Sequence, residues 1–307
     1  MLLDGILPVY KELNLRSTDC VSMVKKILPR GVKIGHAGTL DSTAEGILIL
    51  LIGKTTRLAD FIMEMPKIYK ATVKFGVQTS TDDASGSVVA TQNTDHLTND
   101  LILETLPKFL GIRAQIPPNI SAVHIDGKRA HDLARSGENF QISPKNIQII
   151  HIKQTKELFD NCAEFLIECK KGTYIRSFAR DLGVSLGTVA HIASLKRVRV
   201  WKFDSSMAIS SDTLNNLDIK SLQDCILHPG ILNGYLPTYE VNDSGEEALK
   251  NGLDLPIANT KLLALGQSDL KNRSLIVGKN LLSLCNVTLK NAKNFISPKC
   301  NIRLTSD

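Results

Sequence analysis

No stretch of this sequence approaches the roughly 18 consecutive apolar residues that a membrane-spanning helix needs, so no membrane span is expected. The N-terminal MLLDGILPVYKEL carries an acid at Asp4 and lacks a basic start followed by a long apolar core, so no signal peptide is expected. The six cysteines (Cys20, Cys162, Cys169, Cys225, Cys285, Cys300) form no CxxC pair. They fit free thiols in a reducing cytoplasm better than a disulfide framework or a zinc site. The seven histidines include no HxxxH pair, so no metal is expected. Gly53-Lys54-Thr55-Thr56 looks like the end of a phosphate-binding loop, but that motif needs glycine at position 48, where Leu48 stands. No nucleotide cofactor is implied.

What is present is a globular composition, 43% hydrophobic and 22% charged over 307 residues. That length suits one large domain and one small one. The net charge is +6, and residues 261–307, with eight lysines and arginines against two aspartates, equal the whole excess. A basic appendage on a neutral body suggests a polyanionic partner such as nucleic acid, against the plainer reading of a lysine-rich surface.

Along the chain, ILPVY (6–10) predicts a strand, and apolar positions 21, 24, 27 and 28 predict a helix over 18–28, with Thr18 a possible cap. Residues 29–44 read as a loop, and ILILLI (47–52) as a short buried segment, strand or helix. TTRLADFIME (55–64) reads as a helix. KIYKATVKFGV (67–77) alternates, with Tyr69, Ala71, Val73, Phe75 and Val77 on one face of a strand. A polar loop (78–96), a helix (97–111) and a turn at Asp126-Gly127 follow. NIQIIHIKQ (146–154) and AEFLIEC (163–169) read as paired strands, 173–186 as a helix with Thr173 as candidate cap, and KRVRVWKF (196–203) as a basic strand. Strands and helices mix without a βαβ rhythm, which predicts an α+β fold: a mostly antiparallel mixed sheet flanked by helices. A break near 228–237 divides the chain into 1–235 and a small β-rich unit, 236–307.

GHAGTLDSTAEGIL (35–48) is the stretch that bears chemistry. Asp41 or Ser42 could cap a following helix, and Ser42 with Glu45 fits a capping box; Asp41 could equally be a nucleophile. His36 reads by default as a structural or solvated loop histidine, Tyr69 as core, Arg176 as a surface cation beside Tyr174, and Leu195 as core. The alternating KRVRVWK is either an edge strand guarded by its charges or a phosphate-contacting edge.

Taken together and in order, GHAGTLDSTAEGIL, KIYKATVKFGVQTSTDDASG, IPPNISAVHIDGKRAHDLARSG and KKGTYIRSFARDLGVSLGTVAHIASLKR resemble the successive motifs of the bacterial tRNA pseudouridine-55 synthases, the TruB family, over roughly residues 1–235. The resemblance implies a pseudouridine synthase fold and an enzyme that needs no cofactor. Such an enzyme flips a T-loop uridine of tRNA into a pocket, breaks its N1–C1′ bond and rejoins the base through C5. Asp41 matches the nucleophile, and Arg176 the arginine that pairs with it. Tyr69 matches the tyrosine that packs on the base and is a candidate proton acceptor at C5. Tyr174 and Leu195 match base-pocket positions, and His36 the histidine that holds the distorted RNA loop. The C-terminal region stands where the family carries a PUA-type barrel that would grip the acceptor stem. A cytoplasmic monomer suffices. A protein that only binds and remodels RNA is the competing expectation, disfavoured by the intact Asp41, Tyr69 and Arg176 set.

The sequence departs from the family pattern at several places. KELN (Lys11 to Asn14) lacks the usual proline and glycine, which bears on the shape of the first loop rather than on the chemistry. Ser42 replaces a frequent proline, Ile120 and His131 replace tyrosines, and Lys196 replaces an arginine.

Overall fold

The run ILILLI has apolar side chains on both of its faces, and the fold answers by burying both. In the computed structural model, which describes residues 3–121, 124–125, 128–129, 140–270 and 272–304, the run lies within a strand at the middle of a nine-stranded sheet. In chain order these strands are β1 (Gly5–Lys11), β2 (Ile34–His36), β3 (Ala44–Ile52), β4 (Lys67–Phe75), β5 (Gly111–Gln115), β6 (Lys145–Phe159), β7 (Cys162–Cys169), β8 (Ala190–Val200) and β9 (Ile209–Ser210). They lie in the order β9-β1-β3-β8-β4-β7-β6-β5, with β2 also on β3. The β1–β9 and β3–β8 pairs are parallel; the others are antiparallel. Ile47, Ile49 and Leu51 of β3 enter one core cluster, while Leu48, Leu50 and Ile52 enter another on the opposite face. The period of two along the strand sends alternate residues into the two layers.

Helix α1 (Ser17–Ile27) covers the second cluster with Cys20 and Val24. Its cap is Arg16 rather than Thr18, because the Asp19 carboxylate accepts the Arg16 backbone N–H at 2.8 Å. The expected 55–64 helix begins as a 3-10 segment (Gly53–Leu58) and continues as α2 (Ala59–Glu64). The 97–111 helix is shorter than expected. It comprises α3 (Asn99–Thr105), capped by Thr98, and a 3-10 turn to Phe109; Gly111 then takes a φ of 80° to open β5. Helix α4 (Ile175–Ser185) packs Ile175, Phe178, Ala179 and Leu182, spaced at three and four, against β4 and β7. It is capped at Tyr174, not Thr173.

Two expected loops carry short strands. β2 lies within 29–44, and a short strand Val88–Thr91 within 78–96 pairs with Val77–Thr79. Val77–Thr79 starts at the expected end of the 67–77 strand; that strand stops at Phe75. Asp126-Gly127 and His131 lie outside the described residues.

A second, six-stranded sheet holds β10 (Thr238–Glu240), β11 (Leu255–Pro256), β12 (Lys261–Ala264), β13 (Arg273–Val277), β14 (Leu281–Lys290) and β15 (Lys293–Arg303), in the order β11-β15-β14-β13-β10-β12. One set of its side chains, including Ile276, Leu281 and Ile296, packs with Leu249 of α5 (Asp243–Lys250). The other, including Leu275, Leu282 and Ile302, shares a cluster with Ile6, Leu58 and Phe61 of the first sheet and its helix. The architecture is α+β, with mostly antiparallel mixed sheets. Among the described residues no helix is long and apolar enough to cross a membrane.

Candidate active site

Asp41 does not cap a helix. The segment after it is β3, so the Ser42/Glu45 capping-box expectation fails: Ala44 already pairs with Leu195 in a strand. The turn instead presents Asp41 at the head of the parallel β3–β8 seam, in mid-sheet. Asn14 donates its backbone N–H to Ser42 O at 2.8 Å, tying the first loop to this turn.

Four of the other five residues singled out in the sequence converge on Asp41. Tyr69 of β4, Tyr174 at the cap of α4, Arg176 in its first turn and Leu195 of β8 line one cavity with Asp41. Its volume is about 330 Å³, within the ordinary range for small-ligand sites. Arg176 Nε lies 3.0 Å from Asp41 Oδ2, with the arginine side chain 6% exposed and the aspartate 43%. The acid is therefore open to a substrate while its partner is not. The two remaining guanidinium nitrogens are held as well: Nη1 donates to Thr81 O at 3.1 Å and Nη2 to Ile120 O at 2.9 Å. Arg176 is a buried strut, not the surface cation of the default reading.

Gln115 grips the Tyr174 backbone from both sides. It accepts the Tyr174 N–H at 2.9 Å and donates to its carbonyl at 3.1 Å. Burial pushes the Tyr174 phenol up, against a hydrogen bond with Ser121. Burial does the same to Tyr69, where Arg197 opposes it. Both phenols therefore stay neutral at neutral pH.

His36 is the exception. It ends β2, facing Leu50 across the strand pair, and does not line the cavity. Its Nδ1 is buried without a hydrogen-bond partner among the described residues, and burial, with Arg197, lowers its pKa.

The sequence reading missed three residues of this neighbourhood. Arg197 was placed in a supposed edge strand, yet β8 runs from Ala190 to Val200 between β3 and β4, so it has no free edge. Arg197 is 1% exposed. Its Nε donates to Ile47 O at 2.6 Å, and its other nitrogens to Thr39 O and Gly38 O at 3.3 and 3.1 Å, which holds the turn before Asp41 in place. Lys67 of β4 also lines the cavity. Asp83 receives Thr43 Oγ1 at 3.0 Å and hydrogen bonds from Thr81 and Ser85. Burial drives its pKa up, but these donors outweigh burial and lower it. It ties the strand start after Asp41 to the loop whose Thr81 carbonyl holds Arg176. An alternating basic strand was the only sequence sign of Arg197; Lys67 and Asp83 had none.

No group of three or more His, Cys, Asp or Glu side chains able to hold a metal occurs among the described residues.

Comparison with known proteins gives a consistent picture. A model described as TruB family pseudouridylate synthase (N terminal domain) matches residues 25–175, and one described as tRNA pseudouridylate synthase B C-terminal domain matches 176–229. The tRNA pseudouridine synthase B of Ehrlichia ruminantium (strain Gardel) is 42% identical over 215 residues, covering 69% of this chain and 72% of that protein. The Caulobacter vibrioides protein of the same name is 35% identical over 286 residues, 92% of this chain and 91% of its own. Among solved structures, a chain of a Cbf5-Nop10-Gar1 complex superposes with a TM-score of 0.72 at 21% identity, covering 98% of this chain and 85% of that one. At that identity the likeness concerns the fold.

Proposed function

This chain belongs to the TruB family of pseudouridylate synthases, and from that membership we propose that it isomerises one tRNA uridine, position 55 in the T loop, to pseudouridine. The observation that carries the reading is the Asp41–Arg176 pair at 3.0 Å on the wall of a cavity shared with Tyr69, Tyr174 and Leu195.

A base stacked in an RNA loop must leave the stack to reach such a cavity. In this reading Tyr69 packs on the flipped uracil, and Tyr174 and Leu195 bound it. Cleavage of N1–C1′ develops positive charge on the ribose, and Asp41 traps or stabilises it. Arg176 is the positioning residue: it keeps Asp41 ionised and aimed. No metal or nucleotide takes part. His36, at the end of β2 and outside the cavity, contacts the displaced RNA loop rather than the base. We assign residues 1–235 to catalysis and residues 236–307 to a PUA-like unit on the acceptor stem, where phosphates meet the lysines and arginines of 261–307. The enzyme works as a cytoplasmic monomer in this reading; the six free thiols fit a reducing compartment.

The test is tritium release from a tRNA transcript carrying 5-tritiated uridine. The wild type releases tritium, and Asp41→Asn abolishes release while binding tRNA near normally. Substantial turnover by Asp41→Asn overturns the role of Asp41. Tight binding by the wild type without release favours an RNA-remodelling protein instead.

A further inference from the structure

Lys67 is a buried cation that the reading above leaves without work. It precedes Tyr69 by two residues on β4, so the two side chains share a face, and both line the cavity with Asp41 and Arg176. Only 6% of the residue is exposed. Its Nζ donates to Met63 O and, at 2.6 Å, to Met65 O. Beyond its carbon, an amine nitrogen has three positions. The two carbonyls take two, and no protein group among the described residues takes the third. A neutral amine would satisfy both carbonyls and keep a lone pair; an ammonium would keep one N–H. Either way one position on the nitrogen stays open, on a side chain that lines the cavity.

The surroundings hold this nitrogen near neutrality. Burial, with Arg197 of β8 adding to it, brings the Lys67 pKa down to about 7. Cys169 of β7 and Glu64 of α2 oppose the shift, and Lys171 adds to it. Burial pushes the Tyr69 phenol the other way, so phenolate is scarce at neutral pH. Of the two, the amine is the better proton acceptor.

The reaction needs one. When C5 of the detached uracil bonds to C1′, C5 still carries its hydrogen. We propose that Lys67 is a catalytic residue that accepts the C5 proton. Its lone pair takes the proton, and the C5–H electron pair becomes the C5=C6 double bond. The C6=N1 pair moves onto N1, which takes a proton from water. The ammonium then returns its proton to solvent, so one proton leaves C5 and one reaches N1. This assignment rests on the pseudouridine synthase reading.

The test uses single-turnover reactions on tRNA transcripts with 5-tritiated or 5-deuterated uridine. Lys67→Arg keeps donors for both carbonyls but stays charged at neutral pH. The expected result is unchanged tRNA affinity and melting temperature, with release slowed about 100-fold. A primary isotope effect at C5 emerges, and the wild-type rise in rate through pH of about 7 is lost. Lys67→Met, which removes the amine altogether, shows the same isotope effect. Lys67→Arg at the wild-type rate overturns the assignment. So does slowing without an isotope effect, which would make Lys67 only a cap for the C-terminus of α2. Absence of tritium release by the wild type defeats the pseudouridine reading itself, whereas wild-type release with an unaffected Lys67→Arg defeats the assignment alone.

Discussion

Arg176 shows what one side chain does in this site. Its three guanidinium nitrogens face three partners on different segments: Asp41, the Thr81 carbonyl and the Ile120 carbonyl. A planar fork can span them; a lysine ammonium concentrates its donors at one point. Arg176→Lys is therefore expected to leave the fold intact and slow pseudouridine formation by about 100-fold through misplacement of Asp41. Single-turnover tritium release at saturating enzyme checks this, and a rate within a few-fold of wild type would refute it. The same scale shows what two departures from the family pattern leave in place. Asn14, in the place of a glycine, has a φ of 67°, the left-handed region that asparagine tolerates better than other residues with a Cβ, so the loop keeps its turn. Ile120 reaches Arg176 through its carbonyl, so its contact does not depend on its side chain.

At the scale of elements, the site depends on how closely β3 and β8 approach. Gly46 sits on β3 with a φ of 113°, and a Cβ there would stand 2.3 Å from the Arg197 carbonyl. Gly46→Ala must strain the backbone and part the strands where Leu195 and Arg197 enter the site. A melting temperature lower by about 4 °C or more is expected, together with slower turnover; an unchanged melting curve would contradict the argument. This seam also separates what could be read from the sequence from what could not. The alternation of 67–77 and the three-four spacing of α4 are local patterns, and both place Tyr69 and Arg176 on inner faces. The strand nevertheless stops at Phe75, where Gly76 turns with a φ of 83° and Val77 starts a separate short strand. ILILLI carries no such period because both of its faces are buried, so strand and helix stayed open and the capping box misled. Arg197 looked like an edge cation because strand order is a non-local property. Its burial depends on β3 and β4, which lie more than a hundred residues earlier in the chain.

At the scale of the molecule, the division of labour proposed for 1–235 and 236–307 is not a division of the core. Leu275, Leu282, Leu284 and Ile302 of the second sheet pack with Leu58, Phe61 and Ile62 beneath the first. Polar links run beside them: Arg57 donates to Asn301 O at 2.8 Å, Trp201 Nε1 to Gln267 at 3.1 Å, and Lys170, on the cavity wall, pairs with Asp269. Removing residues 237–307 would uncover those apolar side chains, each worth roughly 1.5–3 kcal/mol when buried. It would also remove nine lysines and arginines, eight of them within 261–307. Two losses should therefore appear together. The truncated chain should melt lower and aggregate, and whatever stays soluble should bind tRNA more weakly, with a shallower dependence on salt. Circular dichroism melting, light scattering and binding titrations at two ionic strengths on chains 1–236 and 1–307 separate the two effects. A monodisperse 1–236 fragment with the full-length melting temperature would mean that the shared cluster contributes little. Unchanged affinity and salt slope would mean that the C-terminal sheet does not meet the RNA.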